Sequence, residues 1–253
     1  MKKSISEKFK TDGYIVLKNF LPKTLIKQNL NELSLIGRNL MKNFDLTNSK
    51  HIRHSNKKYF YKIINKNKFL YRFAVMNKLS ILATKLGCKQ PVVGPSYCRV
   101  DISPEKKHLF DWHQDYPNIL GSKKMFTYWI PLTKVSKSIG SLEIIEKSHK
   151  LGILNCKSRN NKNKYTSVNM IVNKKIISKI KLNRTILELK PGDIAVLDPC
   201  ILHRSHYNFK SSKVRLTNII RLDDAGDKKH LSLGFKRTEI DKKNINYFKE
   251  YNF

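Results

Sequence analysis

The sequence predicts a mainly β protein with a helical N-terminal layer. After Pro91, short runs of β-branched and aromatic residues alternate with turn residues, and strands so closely spaced are typical of a sandwich or a closed barrel. Before Pro91, apolar residues recur instead at helical spacing. A chain of 253 residues fits one domain. We therefore expect a single domain, with a helical layer at about 1–90, a β core at about 91–222 and a tail at 223–253.

The helical layer is predicted from turn signals and from apolar periodicity. Pro22 opens a long helix, since a proline in the first helical turn gives up no hydrogen bond. Its apolar positions are Leu25, Ile26, Leu30, Leu33, Ile36 and Leu40. The other expected elements are a short helix from residue 6, a turn at 12–13, a strand at 14–17, a polar loop at 44–56, and helices at 59–65 and 69–86, the last ended by Gly87.

The β core is predicted from runs rich in Val, Ile, Tyr, Phe and Thr. The polar segment 156–164 predicts a loop within it. The predicted strands are 92–93, 96–102, 126–132, 141–145, 165–172, 185–189, 194–197, 201–205 and 214–222.

The formal net charge of +32 has two interpretations. One is an anionic partner, such as nucleic acid, an anionic membrane surface or a polyanionic substrate, because the summed positive potential attracts all of these. The other is compositional drift towards lysine and asparagine. We favour drift, since the basic residues do not gather into one arginine-rich block with interleaved aromatic residues.

The chain shows no sign of export or of a disulfide framework. No run of about 18 apolar residues predicts a membrane span, and the first eight residues lack the apolar segment of a signal peptide. The four cysteines have no CxxC spacing, so neither a zinc cage nor a set of disulfides is predicted. We expect a cytoplasmic protein.

The segment Trp112-His113-Gln114-Asp115-Tyr116 carries the strongest chemical signal. If it is extended, His113 and Asp115 point to the same face, because side chains in a strand alternate with period two. His203 is the best candidate for a third ligand. Two histidines and one carboxylate form the facial triad of non-haem Fe(II) oxygenases.

An arginine is expected near this triad. Arg215 falls on the strand after His203, and antiparallel pairing of the two strands through a short turn would return it to the pocket. A guanidinium there can clamp a carboxylate with two parallel hydrogen bonds. Arg221 is a rival that shares the face of Arg215.

Several blocks together resemble the phytanoyl-CoA dioxygenase family, in that family's order and over about residues 6–222. They are Asp12-Gly13-Tyr14-Ile15-Val16-Leu17, Trp112-His113-Gln114-Asp115-Tyr116, Trp129-Ile130-Pro131-Leu132-Thr133, Gly140-Ser141-Leu142-Glu143-Ile144-Ile145, Ser148-His149-Lys150, and Pro191-Gly192-Asp193 leading to His203 and Arg215. The chain departs from the family where Glu146-Lys147 replaces the usual Pro-Gly before Ser-His.

The resemblance implies a double-stranded β-helix, a cupin-like jelly roll, that uses Fe(II), 2-oxoglutarate and O2. His113, Asp115 and His203 match the iron ligands, and Arg215 matches the arginine that pairs with the distal carboxylate of 2-oxoglutarate. Ser205, Thr217 and Trp129 lie where they could line the cosubstrate pocket.

The implied activity is hydroxylation of a small metabolite with release of succinate and CO2. Tyr97 and Arg99, on one strand face, and Tyr116 are candidates for contact with the substrate. Arg99 and the lysine surplus hint at an anionic substrate. Two alternatives stay open, a non-oxidative jelly-roll protein that binds metal and a nucleic-acid-binding or nucleic-acid-modifying protein driven by the charge.

Overall fold

A computed structural model describes residues 3–54, 60, 63–74, 76–102, 109–158, 170–206 and 213–232. Among these residues, no helix combines the length and the apolar character needed to cross a membrane. Their helices are α1 (Ile5–Asp12), α2 (Lys23–Leu40), α3 (Ser49–His54), α4 (Lys68–Ala74), α5 (Asn77–Lys85), α6 (Tyr116–Ile119), α7 (Lys174–Lys179) and α8 (Lys228–Ser232), with a 3-10 turn at Ser148–Leu151.

The first elements follow from local sequence signals. Ser4 and Glu7 form a capping box, in which each side chain accepts a hydrogen bond from the other's backbone N–H at 3.2 and 2.7 Å. The helix ends at Gly13, whose φ of 80° is the left-handed conformation of a helix C-cap. The predicted order of short helix, turn and strand is confirmed.

Two predictions in the helical layer are wrong. The segment predicted as a polar loop contains α3, and the single helix expected at 69–86 is two helices, α4 and α5. Met76 has φ −63° and ψ 120°, an extended conformation that starts α5 as a new helix. The expected helix at 59–65 lies partly outside the described residues.

The strands of the described residues form three antiparallel sheets, so the predicted β core with helices is confirmed. The large sheet has the order β1-β9-β4-β11-β2, with β3 also paired to β11. A small sheet has the order β10-β5-β8, and β6 pairs with β7. The strands are β1 (Tyr14–Leu17), β2 (Pro91–Val93), β3 (Tyr97–Ile102), β4 (Phe126–Pro131), β5 (Leu142–Ile145), β6 (Cys156–Ser158), β7 (Met170–Val172), β8 (Arg184–Ile186), β9 (Ile194–Leu197), β10 (His203–Ser205) and β11 (Val214–Asp224).

The eleven-residue strand β11 separates two buried regions. Leu216, Ile220 and Leu222 face a core shared with the helices, whereas Ile219 faces a second core that holds side chains of both larger sheets. Residues 215, 217, 219 and 221 share that second face because strand side chains alternate. One face of the large sheet is thus covered by helices, and the other lies opposite the small sheet.

Two expectations about the site's strands need correction. β10 and β11 do not pair with each other, since β10 pairs with β5 in the small sheet and β11 with β2, β3 and β4 in the large one. The segment around Asp115 is not a strand either. His113 forms an isolated bridge to His203, and Asp115 directly precedes α6.

Candidate metal centre and cosubstrate pocket

His113, Asp115 and His203 meet between the two sheets. The isolated bridge joins His113 and His203 through two backbone hydrogen bonds of 3.0 and 3.1 Å. The Asp115 Oδ1 atom lies 3.9 Å from Nε2 of His113 and 4.0 Å from Nε2 of His203. One metal ion bonded at about 2.0–2.2 Å can bridge atoms at such separations. All three residues are buried.

Both imidazoles are oriented by the backbone. Nδ1 of His113 lies 2.7 Å from the carbonyl oxygen of Asp111, and Nδ1 of His203 lies 3.0 Å from that of Ile201. A carbonyl accepts a hydrogen bond, so each Nδ1 carries the proton and each Nε2 keeps its lone pair for a metal. Burial lowers the pKa of both histidines, that of His113 to about 3, which keeps the rings neutral as ligation requires.

The Asp115 carboxylate is fixed through both oxygens. Thr127 donates to Oδ2 at 2.6 Å, and Nη2 of Arg221 donates to Oδ1 at 3.1 Å. Burial alone would raise the pKa of Asp115, but Arg221 and the two imidazoles outweigh it and hold the pKa well below its usual range. The donor set is therefore a charged carboxylate and two neutral imidazoles, which fits a divalent ion with open positions.

The cavity beside the triad contains most of the residues predicted to form the site. Among the described residues, its lining includes the three predicted ligands and also Tyr97, Arg99, Trp129, Ser205 and Arg215. Neither Thr217 nor Tyr116 is among these lining residues. Tyr116 lies elsewhere. Its ring is buried near Cys200 and Asp227, which places this candidate substrate contact away from the cavity.

Arg215 is held by a buried carboxylate that the sequence reasoning missed. Nε and Nη2 of Arg215 donate to Oδ2 of Asp101 at 3.1 and 2.8 Å, and Nη1 donates to the Ser141 carbonyl oxygen at 3.0 Å. The other oxygen of Asp101 accepts from Nη2 of Arg99 at 2.7 Å. Of the five N–H groups of Arg215, two remain for a ligand.

Two buried polar atoms on the same face of β11 have no hydrogen-bond partner among the described residues. They are Oγ1 of Thr217 and Nε of Arg221. A buried polar group without a partner costs stability, so each such atom indicates a missing ligand or water. Thr217 was predicted to bind the cosubstrate.

The sequence analysis also missed two other residues that line the cavity, and only one of them could have been predicted from strand alternation. Thr127 is two residues before Trp129 on β4, so strand alternation could have identified it. Arg204 lines the cavity although alternation places it opposite His203. It donates from Nε to Glu143 at 2.7 Å and lies over the Trp112 ring at 4.7 Å. No sequence signal predicted that position.

The remaining described histidines near this end of the molecule have structural contacts. His149 lies with Nε2 at 3.1 Å from the Lys10 carbonyl oxygen, and His206 approaches Glu143 at 3.4 Å. Neither belongs to the triad.

A family model for phytanoyl-CoA dioxygenase (PhyH) matches residues 9–217. A search of curated proteins gives no match.

Solved structures show the same fold at low sequence identity. The epimerase SnoN, in complex with Fe3+, alpha ketoglutarate and nogalamycin RO, is 15% identical over 87% of this chain and 82% of that chain, with a TM-score of 0.62. The non-heme monooxygenase ThoJ is 16% identical over 87% and 77%, TM-score 0.62. EctD from S. alaskensis, with 2-oxoglutarate and 5-hydroxyectoine, is 15% identical over 90% and 77%, TM-score 0.62.

The family match spans most of the chain and includes the HxD segment, His203 and Arg215. The chain therefore belongs to the phytanoyl-CoA dioxygenase (PhyH) family, as its motifs predict, and with it to the 2-oxoglutarate-dependent non-haem iron oxygenases.

Proposed function

We propose that the protein is an Fe(II)- and 2-oxoglutarate-dependent dioxygenase that hydroxylates a small metabolite. The balanced reaction converts substrate C–H, O2 and 2-oxoglutarate into substrate C–OH, succinate and CO2. The observation that carries the proposal is the buried triad, in which both Nε2 atoms face Oδ1 of Asp115 while both Nδ1 atoms are held by backbone carbonyl oxygens. The bound iron supplies the oxidising chemistry.

His113, Asp115 and His203 are proposed as the iron ligands. Thr127 and Arg221 fix both carboxylate oxygens, and the backbone fixes both rings. A ligand set held this firmly needs little reorganisation when a metal binds.

Arg215 is proposed to bind the distal carboxylate of 2-oxoglutarate with its two remaining N–H groups. The Ser205 hydroxyl accepts from the Phe110 backbone N–H at 3.2 Å, so its own proton is available to a ligand oxygen. Thr217 offers a buried hydroxyl without a partner among the described residues. Trp129 walls the same cavity and excludes water from it.

The fold that presents these groups is proposed to be a double-stranded β-helix formed by the two larger sheets. We also propose that residues 1–253 form one domain and that the protein is cytoplasmic. Tyr97 and Arg99 line the cavity and are proposed to contact the substrate.

The first experiment is anaerobic addition of Fe(II) and 2-oxoglutarate to the purified protein. A weak visible charge-transfer band is expected, because the oxoacid would coordinate the iron through two positions. His203→Ala should lose the band and His149→Ala should keep it, since His149 is a histidine outside the triad. A folded wild-type protein without the band would contradict the proposal.

The second experiment separates the two arginines. Arg215→Gln should raise the 2-oxoglutarate concentration needed for half-maximal band intensity without changing the iron requirement. If Arg221→Gln shows that effect and Arg215→Gln does not, the assignment of the cosubstrate arginine is wrong.

One comparison favours a second candidate function, in which the metal site performs a reaction other than hydroxylation. A similar solved structure is described as an epimerase. Mass analysis of the converted substrate decides between them, because hydroxylation adds one oxygen atom and epimerisation leaves the mass unchanged.

A further inference from the structure

One oxygen of Asp115 faces both the candidate metal position and a guanidinium. Oδ1 is the oxygen that lies 3.9 Å from Nε2 of His113 and 4.0 Å from Nε2 of His203. The other oxygen, Oδ2, accepts the hydrogen bond of Thr127 at 2.6 Å. Nη2 of Arg221 donates to Oδ1 at 3.1 Å, so it binds the oxygen that a metal ion between the imidazoles would use. Arg221 and a metal therefore draw on the negative charge of the same atom.

The strand register explains why each oxygen of Asp115 has its own donor. Arg221 on β11 lies directly opposite Thr127 on β4. Directly opposite residues of an antiparallel pair share one face of the sheet, so both side chains reach Asp115 from that face. The two donors differ in charge, because the Thr127 hydroxyl is neutral and the Arg221 guanidinium stays protonated in proteins. Thr127 therefore only orients the carboxylate, whereas Arg221 also opposes a cation bound to it.

The guanidinium of Arg221 is held in place by contacts other than Asp115. Nη1 donates to the Pro95 carbonyl oxygen at 3.1 Å, and Nη2 donates to the Tyr97 hydroxyl at 3.4 Å. The guanidinium carbon lies 5.2 Å from the centroid of the Tyr97 ring. The side chain of Arg221 is 5% exposed, so salt and water screen its charge little. A cation bound at Oδ1 therefore meets a positive charge that cannot swing away without losing these contacts.

The repulsion between Arg221 and a bound cation depends on the charge of that cation. Asp115 is the carboxylate that pairs with Arg221, and a metal ion at Oδ1 would take part of its negative charge. Coulomb repulsion grows in proportion to the charge of the ion, so Arg221 opposes Fe(III) more than it opposes Fe(II). A site that disfavours Fe(III) has a higher Fe(III)/Fe(II) potential. Arg221 thus favours the ferrous state that the proposed reaction requires.

We propose that Arg221 is a positioning residue that acts on iron through Asp115, where its charge weakens the carboxylate as a donor and favours Fe(II) over Fe(III). This inference rests on the proposed function, because it concerns the same metal ligands. A purely structural role predicts the opposite effect on metal binding, since losing a partner that only orients a ligand lowers the affinity for the metal. The direction of the change when the charge of Arg221 is removed therefore separates the two roles.

The test compares variants of Arg221 that keep or remove its charge. Arg221→Met and Arg221→Gln are neutral, and Arg221→Lys keeps the charge. Arg215→Met is the matched control, because Arg215 is an equally buried arginine on the same face of β11 that pairs with Asp101. The affinities of the metal-free protein for Mn(II) and Fe(II) are measured anaerobically by competition with a chelator, without 2-oxoglutarate. The Fe(III)/Fe(II) midpoint potential is measured by a mediated redox titration of the iron-loaded protein.

Arg221→Met and Arg221→Gln should bind both divalent ions about tenfold more tightly than the wild type. Because the repulsion scales with charge, a tenfold gain for Fe(II) implies about a thirtyfold gain for Fe(III). A tenfold change corresponds to about 59 mV for one electron, so the midpoint potential of these variants should fall by about 30 mV. Arg221→Lys and Arg215→Met should stay within about threefold of the wild-type affinities.

Equal or weaker metal binding by the neutral variants, or an unchanged midpoint potential, would overturn the proposed role of Arg221. A gain of the same size in Arg215→Met would also overturn it, since the effect would then arise from the cavity charge in general. If neither neutral variant folds even with metal bound, as judged by circular dichroism, the role of Arg221 is structural and the proposal fails. Failure of the wild type to bind Mn(II) and Fe(II) contradicts the proposed function instead.

Discussion

Replacing Asp101 with asparagine should destabilise the protein strongly. This buried carboxylate holds two guanidiniums at once, Arg99 through Oδ1 at 2.7 Å and Arg215 through Oδ2 at 2.8 Å. Asparagine keeps the shape of the side chain but removes the negative charge. The variant would remove the carboxylate that both arginines contact and would leave the buried Arg215 without this charged partner. Removing one partner of a buried ion pair is costly.

The magnitude follows from the pKa of Asp101. Burial alone would raise it, but Arg215 and Arg99 together lower the pKa to about 2 from the ordinary 3.8. Each pKa unit corresponds to about 1.36 kcal/mol, so the ionised carboxylate adds, after the cost of its burial, about 2 kcal/mol to the free energy of unfolding at neutral pH. Removing one partner of a buried pair costs about 3–5 kcal/mol in other proteins. We expect a loss of about 2–5 kcal/mol.

The assay is urea unfolding of the metal-free protein across a pH series. Because the folded pKa lies below the unfolded one, this stabilisation is present above about pH 4 and is lost as the pH falls towards 2. The difference between wild type and Asp101→Asn should therefore shrink on acidification. Glu188→Gln, at an exposed glutamate, is the matched control and should cost less than about 0.5 kcal/mol.

Two results would refute the reasoning about Asp101. The first is a loss no larger than that of Glu188→Gln. The second is a large loss that does not change between neutral and acidic pH, since it would arise from packing and not from the charge. Asp101→Asn should also raise the 2-oxoglutarate concentration needed for half-maximal band intensity, because Arg215 loses the carboxylate that orients it.

Three further changes test other parts of the structure. Thr127→Val keeps the side-chain volume but removes the 2.6 Å hydrogen bond to Asp115. The affinity for iron, measured by competition with a chelator, should therefore fall by about 10–100-fold. An unchanged affinity would contradict the role given to Thr127. Gly37→Ala should destabilise the protein by about 1–3 kcal/mol in thermal or urea unfolding, because a Cβ there overlaps the Phe44 ring. A neutral or stabilising result would contradict this clash. Lys147→Gly should stabilise the protein by about 1 kcal/mol, because Lys147 has a left-handed φ of 61° that is strained for a residue with a Cβ. A neutral or destabilising result would mean that contacts of the Lys147 side chain outweigh this strain.

The sequence predicted the fold well where local signals and packing agree. The strand Ile194–Leu197 and the strand Tyr14–Leu17 were predicted at their observed bounds, because each is a short apolar run bounded by turn residues. The break between α4 and α5 was missed because apolar periodicity continues across it. Helix α7 was missed because it is short and polar, and its Asn173 cap is a weak signal by itself.

For the candidate site, the sequence predicted which residues come together better than it predicted the backbone elements that bring them together. His113 and Asp115 share a pocket with His203, but the HxD segment reaches it as a bridge followed by a helix and not as a strand. Arg215 enters the cavity from the sheet opposite His203 and not through a hairpin. Pairing of distant strands depends on tertiary packing, and one sequence does not contain that information.

Asp101 shows what a sequence can reveal once the register is known. Strand alternation places it on the same face as Tyr97 and Arg99, yet alternation alone cannot say that Arg215 lies directly opposite. In this register, Asp101 forms hydrogen bonds to both Arg99 and Arg215. A buried carboxylate between two guanidiniums is therefore a property of the pairing of β3 with β11.

The positive charge of the chain separates into two parts that act over different ranges. Lysines supply most of the +32, and they are absent from the described lining of the cavity. Charge on exposed lysines is screened within about 8 Å at physiological salt, so it acts on large anions near the surface. Arg215 and Arg221, in contrast, are buried in the cavity and paired with carboxylates, so salt screens them much less. A ligand that binds in the cavity should consequently depend on the guanidiniums and little on ionic strength, whereas association with a polyanion should weaken steeply as salt is added.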